Sequence, residues 1–209
     1  MGKIVSVIGP PACGKSLLCR KIAEKTGWIL IKEFDSMPKE VCKELNDDPY
    51  SLKTQMWFRN RRIEAVLKAK ELSKHSNVIL DTCFLTSEVH IDEMTNEFER
   101  EIAIEMNEQD IKLLGFPDYM VGLMCSEEQL YKFFKTRNAI YEQSETSFSH
   151  HCQIRKKYIE LYKKYPQILQ VSTEGMDFKN KEDFNKMLYL INQSIKNEYR
   201  KQPQEDYEK

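Results

Sequence analysis

The sequence has no apolar run long enough to cross a membrane. The stretch Ile4–Ile8 near the N-terminus is only strand length, whereas a spanning helix needs about 18 or more apolar residues. Residues 1–30 also lack the basic start and long apolar core of a secretory signal, so a cytoplasmic location is expected. Charge of either sign is not in excess. Thirty-two Lys and Arg stand against 33 Asp and Glu, a net charge of −1. That excludes the broad basic footprint of a nucleic-acid binder and leaves room only for a local cationic pocket. The six cysteines, Cys13, Cys19, Cys42, Cys83, Cys125 and Cys152, contain no CxxC pair. Neither a disulfide framework nor a zinc site has the right spacing, and reduced thiols are expected. His150 and His151 are adjacent, so their side chains should diverge, and solvated or loop histidines are the expected reading. Glycine is scarce, with seven in 209 residues, and two of them, Gly9 and Gly14, lie five residues apart. In a glycine-poor chain that placement implies a backbone demand.

What the chain does have is a regular alternation. Its 209 residues, 41% hydrophobic, suit one domain able to bury a core without disulfides or metal. Short β-branched runs predict strands at Lys3–Ile8, Trp28–Lys32, Asn77–Leu80, Tyr119–Met124 and Gln167–Val171. Helix-period segments lie between and after them: Ser16–Lys25, Pro49–Lys74, Thr86–Gln109, a helix opening at Ser126, Ser149–Tyr165 and Lys181–Tyr199. Alternating strands and helices predict a five-stranded parallel sheet covered on both faces. Ligands in such sheets bind beyond the carboxyl ends of the strands. Residues 1–200 are expected to form this single domain, and the polar end 201–209 a disordered tail.

Gly9-Pro-Pro-Ala-Cys-Gly14-Lys15-Ser16 matches GxxxxGK[ST] between a predicted strand and a predicted helix, the context in which the pattern binds phosphate. The glycines let backbone N–H groups wrap an anion, and the helix N-terminus adds positive potential. Gly9, Cys13, Gly14, Lys15, Ser16 and Leu17 are the expected contacts to ATP, with Lys15 on the β- and γ-phosphates and Ser16 on Mg²⁺. Cys13 is expected to serve as a small neutral side chain. Two acids lie at predicted strand ends. Glu33 follows the second strand, 18 residues after Lys15, and Asp81 follows the third. One carboxylate beside a phosphate site can accept a proton from a hydroxyl, and the other can face Mg²⁺. Glu33 is favoured as the base and Asp81 as the metal-side acid. Residues 132–142 form a cationic segment containing Arg137, suited to closing over phosphates.

Taken together, the chain from Lys3 to about Asn197 resembles the deoxynucleoside kinase family, within the thymidylate-kinase-like P-loop kinases. The resemblance rests on the phosphate loop, Glu33, Gln55, and Arg62 seven residues later. It extends to Pro117-Asp118 opening the fourth strand, Arg137 followed by Tyr141-Glu142-Gln143, and Asp177-Phe178 after the last strand. It implies a three-layer α/β P-loop kinase fold with a short lid at about residues 132–148. It also implies transfer of the ATP γ-phosphate to the 5′-hydroxyl of a deoxynucleoside. Glu33 would take the hydroxyl proton. Gln55 would read the base edge, Arg62 would also bind the substrate, Glu142 would hold the sugar 3′-hydroxyl, and Arg137 would clamp phosphate.

The sequence departs from the family at several points. Asp81-Thr82-Cys83 stands where the family has an acid followed by Arg-Ser. Ser87 replaces an acid that partners the Arg62 position in some members, Pro38 replaces a tryptophan, Thr54 an aromatic, and Ala139 a second lid arginine. Three other readings stay open. One is a nucleoside monophosphate kinase using Arg59, Arg61 and Arg62. Another is a kinase for a non-nucleoside acceptor. The last is a nucleotide-binding protein with little catalysis, motivated by Thr82. Tyr50, Trp57, Phe58 and Phe84 are candidate pocket aromatics, with at most one of the adjacent Trp57 and Phe58 facing the site. The long helices 49–74 and 86–109 suit a homodimer face as well as they suit packing on the sheet.

Overall fold

A computed structural model describes residues 2–136 and 145–199. Five strands, β1 (Ile4–Ile8), β2 (Ile29–Lys32), β3 (Val78–Asp81), β4 (Tyr119–Met124) and β5 (Ile168–Ser172), form one sheet in the order β2-β3-β1-β4-β5. Every pairing is parallel, with Val7 in register with both Asp81 and Val121. The eight described helices are α1 (Lys15–Thr26), α2 (Lys39–Asp47), α3 (Leu52–Leu72), α4 (Thr86–Ile91), α5 (Glu97–Leu114), α6 (Glu127–Thr136), α7 (Glu145–Lys164) and α8 (Lys181–Tyr199).

The period of two along each strand divides the core in two. Ile4 and Ile8 of β1 join Val78, Leu80 and Met120 against Ala65, Val66 and Ala69 of α3 and Ile154, Tyr158 and Tyr162 of α7. Val5 and Val7 join Ile79, Val121 and Leu123 against Leu18 and Ile22 of α1, Leu130 of α6 and Met187 of α8. All five residues of β1 are buried, as a strand covered on both faces requires. This is the expected three-layer α/β architecture.

Three segments differ from expectation. The predicted helix Thr86–Gln109 is two helices, α4 and α5. Asn96 adopts an extended conformation, and its side chain accepts the Glu99 amide, capping α5 afresh. Asn followed three residues later by Glu is a helix-start signal, and it outweighs the continuous apolar spacing around it. The Glu99 carboxylate also accepts the Leu52 amide at 2.8 Å, capping α3. Helix α2 was not anticipated; none of its residues is buried, so it writes no core stripe into the sequence. Strand β3 runs one residue further than predicted, so that Asp81 is its last residue rather than a loop residue. No described helix is long and apolar enough to cross a membrane. The proposed tail 201–209 and lid positions 137–144 lie outside the described residues, and Arg137 and Glu142 with them.

Candidate active site

The phosphate loop lies between β1 and α1, where the sequence placed it. Gly14 caps α1 at φ 93°, and Gly9 takes φ 155°, conformations that a side chain resists. A Cβ at Gly9 would also approach the Cys13 sulfur to 2.9 Å, and one at Gly14 would approach the Phe178 ring to 3.1 Å. No side chain caps the helix N-terminus, so its first N–H groups stay available to an anion. Lys15 Nζ donates to the carbonyls of Gly9 at 2.8 Å and Pro10 at 2.9 Å, folding the charge over the loop. Cys13 lies fully buried beneath, and burial pushes its thiol above the ordinary range. Its side chain therefore fills space, as expected.

A cavity of about 1280 Å³ opens at the carboxyl edge of the sheet. Gly9, Gly14, Lys15, Ser16 and Leu17 line one part of it; Glu33, Gln55, Arg62 and Asp81 line it too. Four segments far apart in sequence thus meet at one space. Arg62, only 3% exposed, organises the part of the cavity around Glu33. Its Nε donates to Glu33 Oε1 at 2.8 Å, its Nη1 donates to Ser87 Oγ at 3.0 Å, and its guanidinium lies over the Phe58 ring. Ser87, where an acid was a feature of the resemblance, therefore leaves Arg62 to pair with Glu33. Gln55 is buried, and its amide Nε2 donates to the Pro49 carbonyl at 2.9 Å, which fixes which end of the amide is which. Of the adjacent aromatics, Phe58 reaches the cavity wall and Trp57 does not, while Phe84 belongs to the core. Arg59 and Arg61 turn elsewhere. Arg59 grips Asp110 with two bonds of 2.6 Å, and Arg61 meets Glu64.

Thr82 lies directly after Asp81 with φ 108°, an outlier for a β-branched residue. Three bonds hold it there. Its amide donates to the Val7 carbonyl at 3.1 Å, its carbonyl accepts Ser6 Oγ at 3.0 Å, and its hydroxyl lies 3.0 Å from Thr86 Oγ1. Strain of this kind costs on the order of 1–3 kcal/mol and persists where the surroundings over-determine it. Both Asp81 and Thr82 line the cavity as a result.

Histidines are the part of the site the sequence reading missed. His150 and His151 belong to α7 and both line the cavity, so the expectation of solvated or loop residues is wrong. His151 is 3% exposed. It begins the apolar stripe Ile154, Tyr158 and Leu161, which was the available signal. Helix α7 is anchored under the site by the Tyr162 hydroxyl, which donates to the Leu123 and Ile8 carbonyls at the ends of β4 and β1. Arg155 bonds the Cys125 carbonyl from the same helix.

His90 of α4 also lines the cavity. Burial, then the charges of Arg62 and Lys15, push it down from its ordinary 6.5 to about 3. It is therefore neutral at pH 7. The unfolded chain takes up a proton as pH falls below 6.5 and the folded chain refuses it until about 3, so stability declines across that window. Urea midpoints taken at about pH 7 and about pH 4.5 should show His90→Asn losing less stability on acidification than the natural protein. An equal loss in both would show that His90 does not resist protonation.

A family model described as an AAA domain matches residues 4–162. No curated protein matches the chain. Among solved structures, it is similar to deoxyadenosine kinase from M. mycoides with bound dATP. That likeness has 18% identity, covers 90% of this chain and 99% of that one, and has a TM-score of 0.68. The same kinase with the products dCMP and a flexible dCDP gives 16% identity, 91% and 99% coverage and a TM-score of 0.65. Thymidylate kinase from Candida albicans gives 19% identity, 94% and 93% coverage and a TM-score of 0.67. At such identities these likenesses establish the fold, that of a nucleoside- and nucleotide-kinase-like P-loop protein.

Proposed function

The chain belongs to the family described as an AAA domain, and from that premise we propose that it moves the γ-phosphate of ATP to the 5′-hydroxyl of a nucleoside. One observation carries this reading. Arg62 is the α3 arginine that lines the cavity, and it is already bonded to Glu33. That pair balances its own charge where the acceptor would lie, and the histidine His90 lining the same cavity is neutral. A phosphate-bearing acceptor needs an uncommitted cation there, whereas a nucleoside does not.

In this reading Lys15 leaves the Gly9 and Pro10 carbonyls and turns to the β- and γ-phosphates, with the loop amides cradling the same groups. Arg62 occupies Glu33 Oε1 and leaves Oε2 to accept the 5′-hydroxyl proton. The hydroxyl oxygen bonds to the γ-phosphorus as the bond to the β-phosphate oxygen breaks, and ADP leaves. The Ser16 hydroxyl and Asp81 carboxylate are hard oxygen donors that both line the cavity, a fit to Mg²⁺, which would neutralise phosphate charge when bound. Gln55 reads the acceptor base, offering Oε1 and its second N–H. Arg137 clamps phosphate and Glu142 holds the sugar 3′-hydroxyl, both carried over from the resemblance. The substrates are small molecules, and neither nucleic acid nor membrane has a part in the reaction.

The test is a panel of nucleosides and their monophosphates assayed for ADP formation with ATP and Mg²⁺. Transfer to nucleosides is expected. Transfer confined to monophosphates would overturn the proposal in favour of a monophosphate kinase, and an absence of transfer to either would favour a non-nucleoside acceptor or a binding protein. In the same panel, Gln55→Ala should loosen base selectivity by about tenfold, the scale of one or two lost hydrogen bonds. Unchanged preference would remove Gln55 from base reading.

A further inference from the structure

Tyr50 and His150 meet across the acceptor half of the cavity, and the transfer described above uses neither. Tyr50 lies just before α3, and His150 lies 100 residues further along in α7. The Tyr50 hydroxyl is 2.8 Å from Nδ1 and 3.0 Å from Nε2 of His150. The two rings meet edge to face with centroids 5.4 Å apart. The ring of Tyr50 packs on the small cluster of Ile91, Met94 and Ala103, so its hydroxyl end is the part given to the cavity. Both residues are half-buried and both line the cavity wall.

The chemistry of this pair differs from that of Gln55. Burial and then the neighbouring His151 lower the proton affinity of His150, so at neutral pH its ring carries one N–H and one bare nitrogen. The hydroxyl is within reach of both. It donates to the bare nitrogen, which leaves its oxygen to accept from a ligand, or it accepts from the N–H, which leaves its own proton to a ligand. One arrangement thus offers that ligand an acceptor and the other offers a donor. The Gln55 amide has no such freedom, because the Pro49 carbonyl holds its Nε2. Pro49 directly precedes Tyr50, so the fixed reader and the adjustable one start from adjacent backbone positions.

We infer that Tyr50 and His150 form a second recognition point for the acceptor, one that reads heterocycle edges of opposite hydrogen-bond polarity and so broadens the range of nucleosides bound. The inference rests on the nucleoside reading above. It makes the pair a specificity determinant and gives it no part in the chemical step.

The experiment measures calorimetric affinities for the four common deoxynucleosides in the presence of Mg²⁺ and a non-hydrolysable ATP analogue. The natural protein, His150→Asn and Tyr50→Phe are compared, with affinity for the analogue alone reporting an intact fold. The natural protein is expected to bind amino-edged and keto-edged bases within about tenfold of each other, the scale of one hydrogen bond. His150→Asn, whose amide lies differently and cannot exchange tautomers, should change that ratio by about tenfold or more. Tyr50→Phe should weaken all four nucleosides and leave the analogue's affinity unchanged. If both variants keep the natural ratios and affinities within about twofold, the inference is overturned and the nucleoside reading stands. A natural protein that prefers one base by more than about a hundredfold also overturns it. If the natural protein binds no nucleoside, the inference and the proposed function fall together. The two substitutions lie in separate segments, so loss of folding in one leaves the other to decide.

Discussion

Glu33→Gln should lower turnover by about 10²–10⁴, the range of a positioned general base, while ATP affinity changes by less than about twofold. The substitution keeps shape and size and removes the basic oxygen. Glu33 Oε1 is bonded to Arg62, and a glutamine oxygen can still accept from the same Nε. The loss should therefore fall on chemistry rather than on the fold. Some stability is also lost, because the 3%-exposed Arg62 no longer faces a full negative charge. Removing one partner of a buried ion pair outright costs roughly 3–5 kcal/mol, and because the glutamine keeps a bond to the arginine the loss here should be smaller, on the order of 1–2 kcal/mol. Steady-state kinetics with a fixed nucleoside, together with a thermal melt, separate the two effects. Turnover unchanged from the natural protein would take Glu33 out of the base role.

Lys15→Ala should remove ATP-dependent transfer altogether at ordinary enzyme concentrations. A pre-organised donor aimed at developing charge is worth about 10²–10³ in turnover, and Lys15 adds a full cation to that role. The fold should tolerate the change. Lys15 is half-buried and donates only to two loop carbonyls, so the cost is about 1 kcal/mol per bond before water replaces the lysine. Activity present in the natural protein and absent in the variant also disposes of the reading as a nucleotide-binding protein without catalysis. Activity that survives in Lys15→Ala would mean that the phosphate loop is not where transfer happens.

The order of strands and helices and the position of the phosphate loop were legible because they are written locally. A strand buried on both faces must be apolar at every position, as β1 is. A loop that wraps phosphate must have glycine where φ is positive, as at Gly14. Where local rules competed, reading failed: the Asn96 cap divided an otherwise continuous helical pattern. Helix α2 left no trace because it buries nothing.

The part of the cavity around Arg62 was less legible, and the reason is geometric. Nothing about Glu33, Arg62 and Ser87 taken separately says that they form one bonded chain, since they come from three segments joined only by folding. His90, His150 and Tyr50 carry no motif at all, and each enters the cavity because a helix is anchored at a particular angle. The Tyr162 hydroxyl on the β1 and β4 carbonyls does this for α7.

The scarcity of glycine and the near-zero net charge turn out to concern different scales. By itself, the sequence determined a phosphate site at the end of the first strand of a parallel sheet. The residues of that site are contiguous, and the conformations they need are chemical properties of glycine and lysine. Only the tertiary structure decided that Arg62 spends its charge on Glu33, that Ser87 accepts a second bond from it, and that histidines line the same cavity. Charge balance within a cavity depends on which side chains meet, and chain order does not specify that.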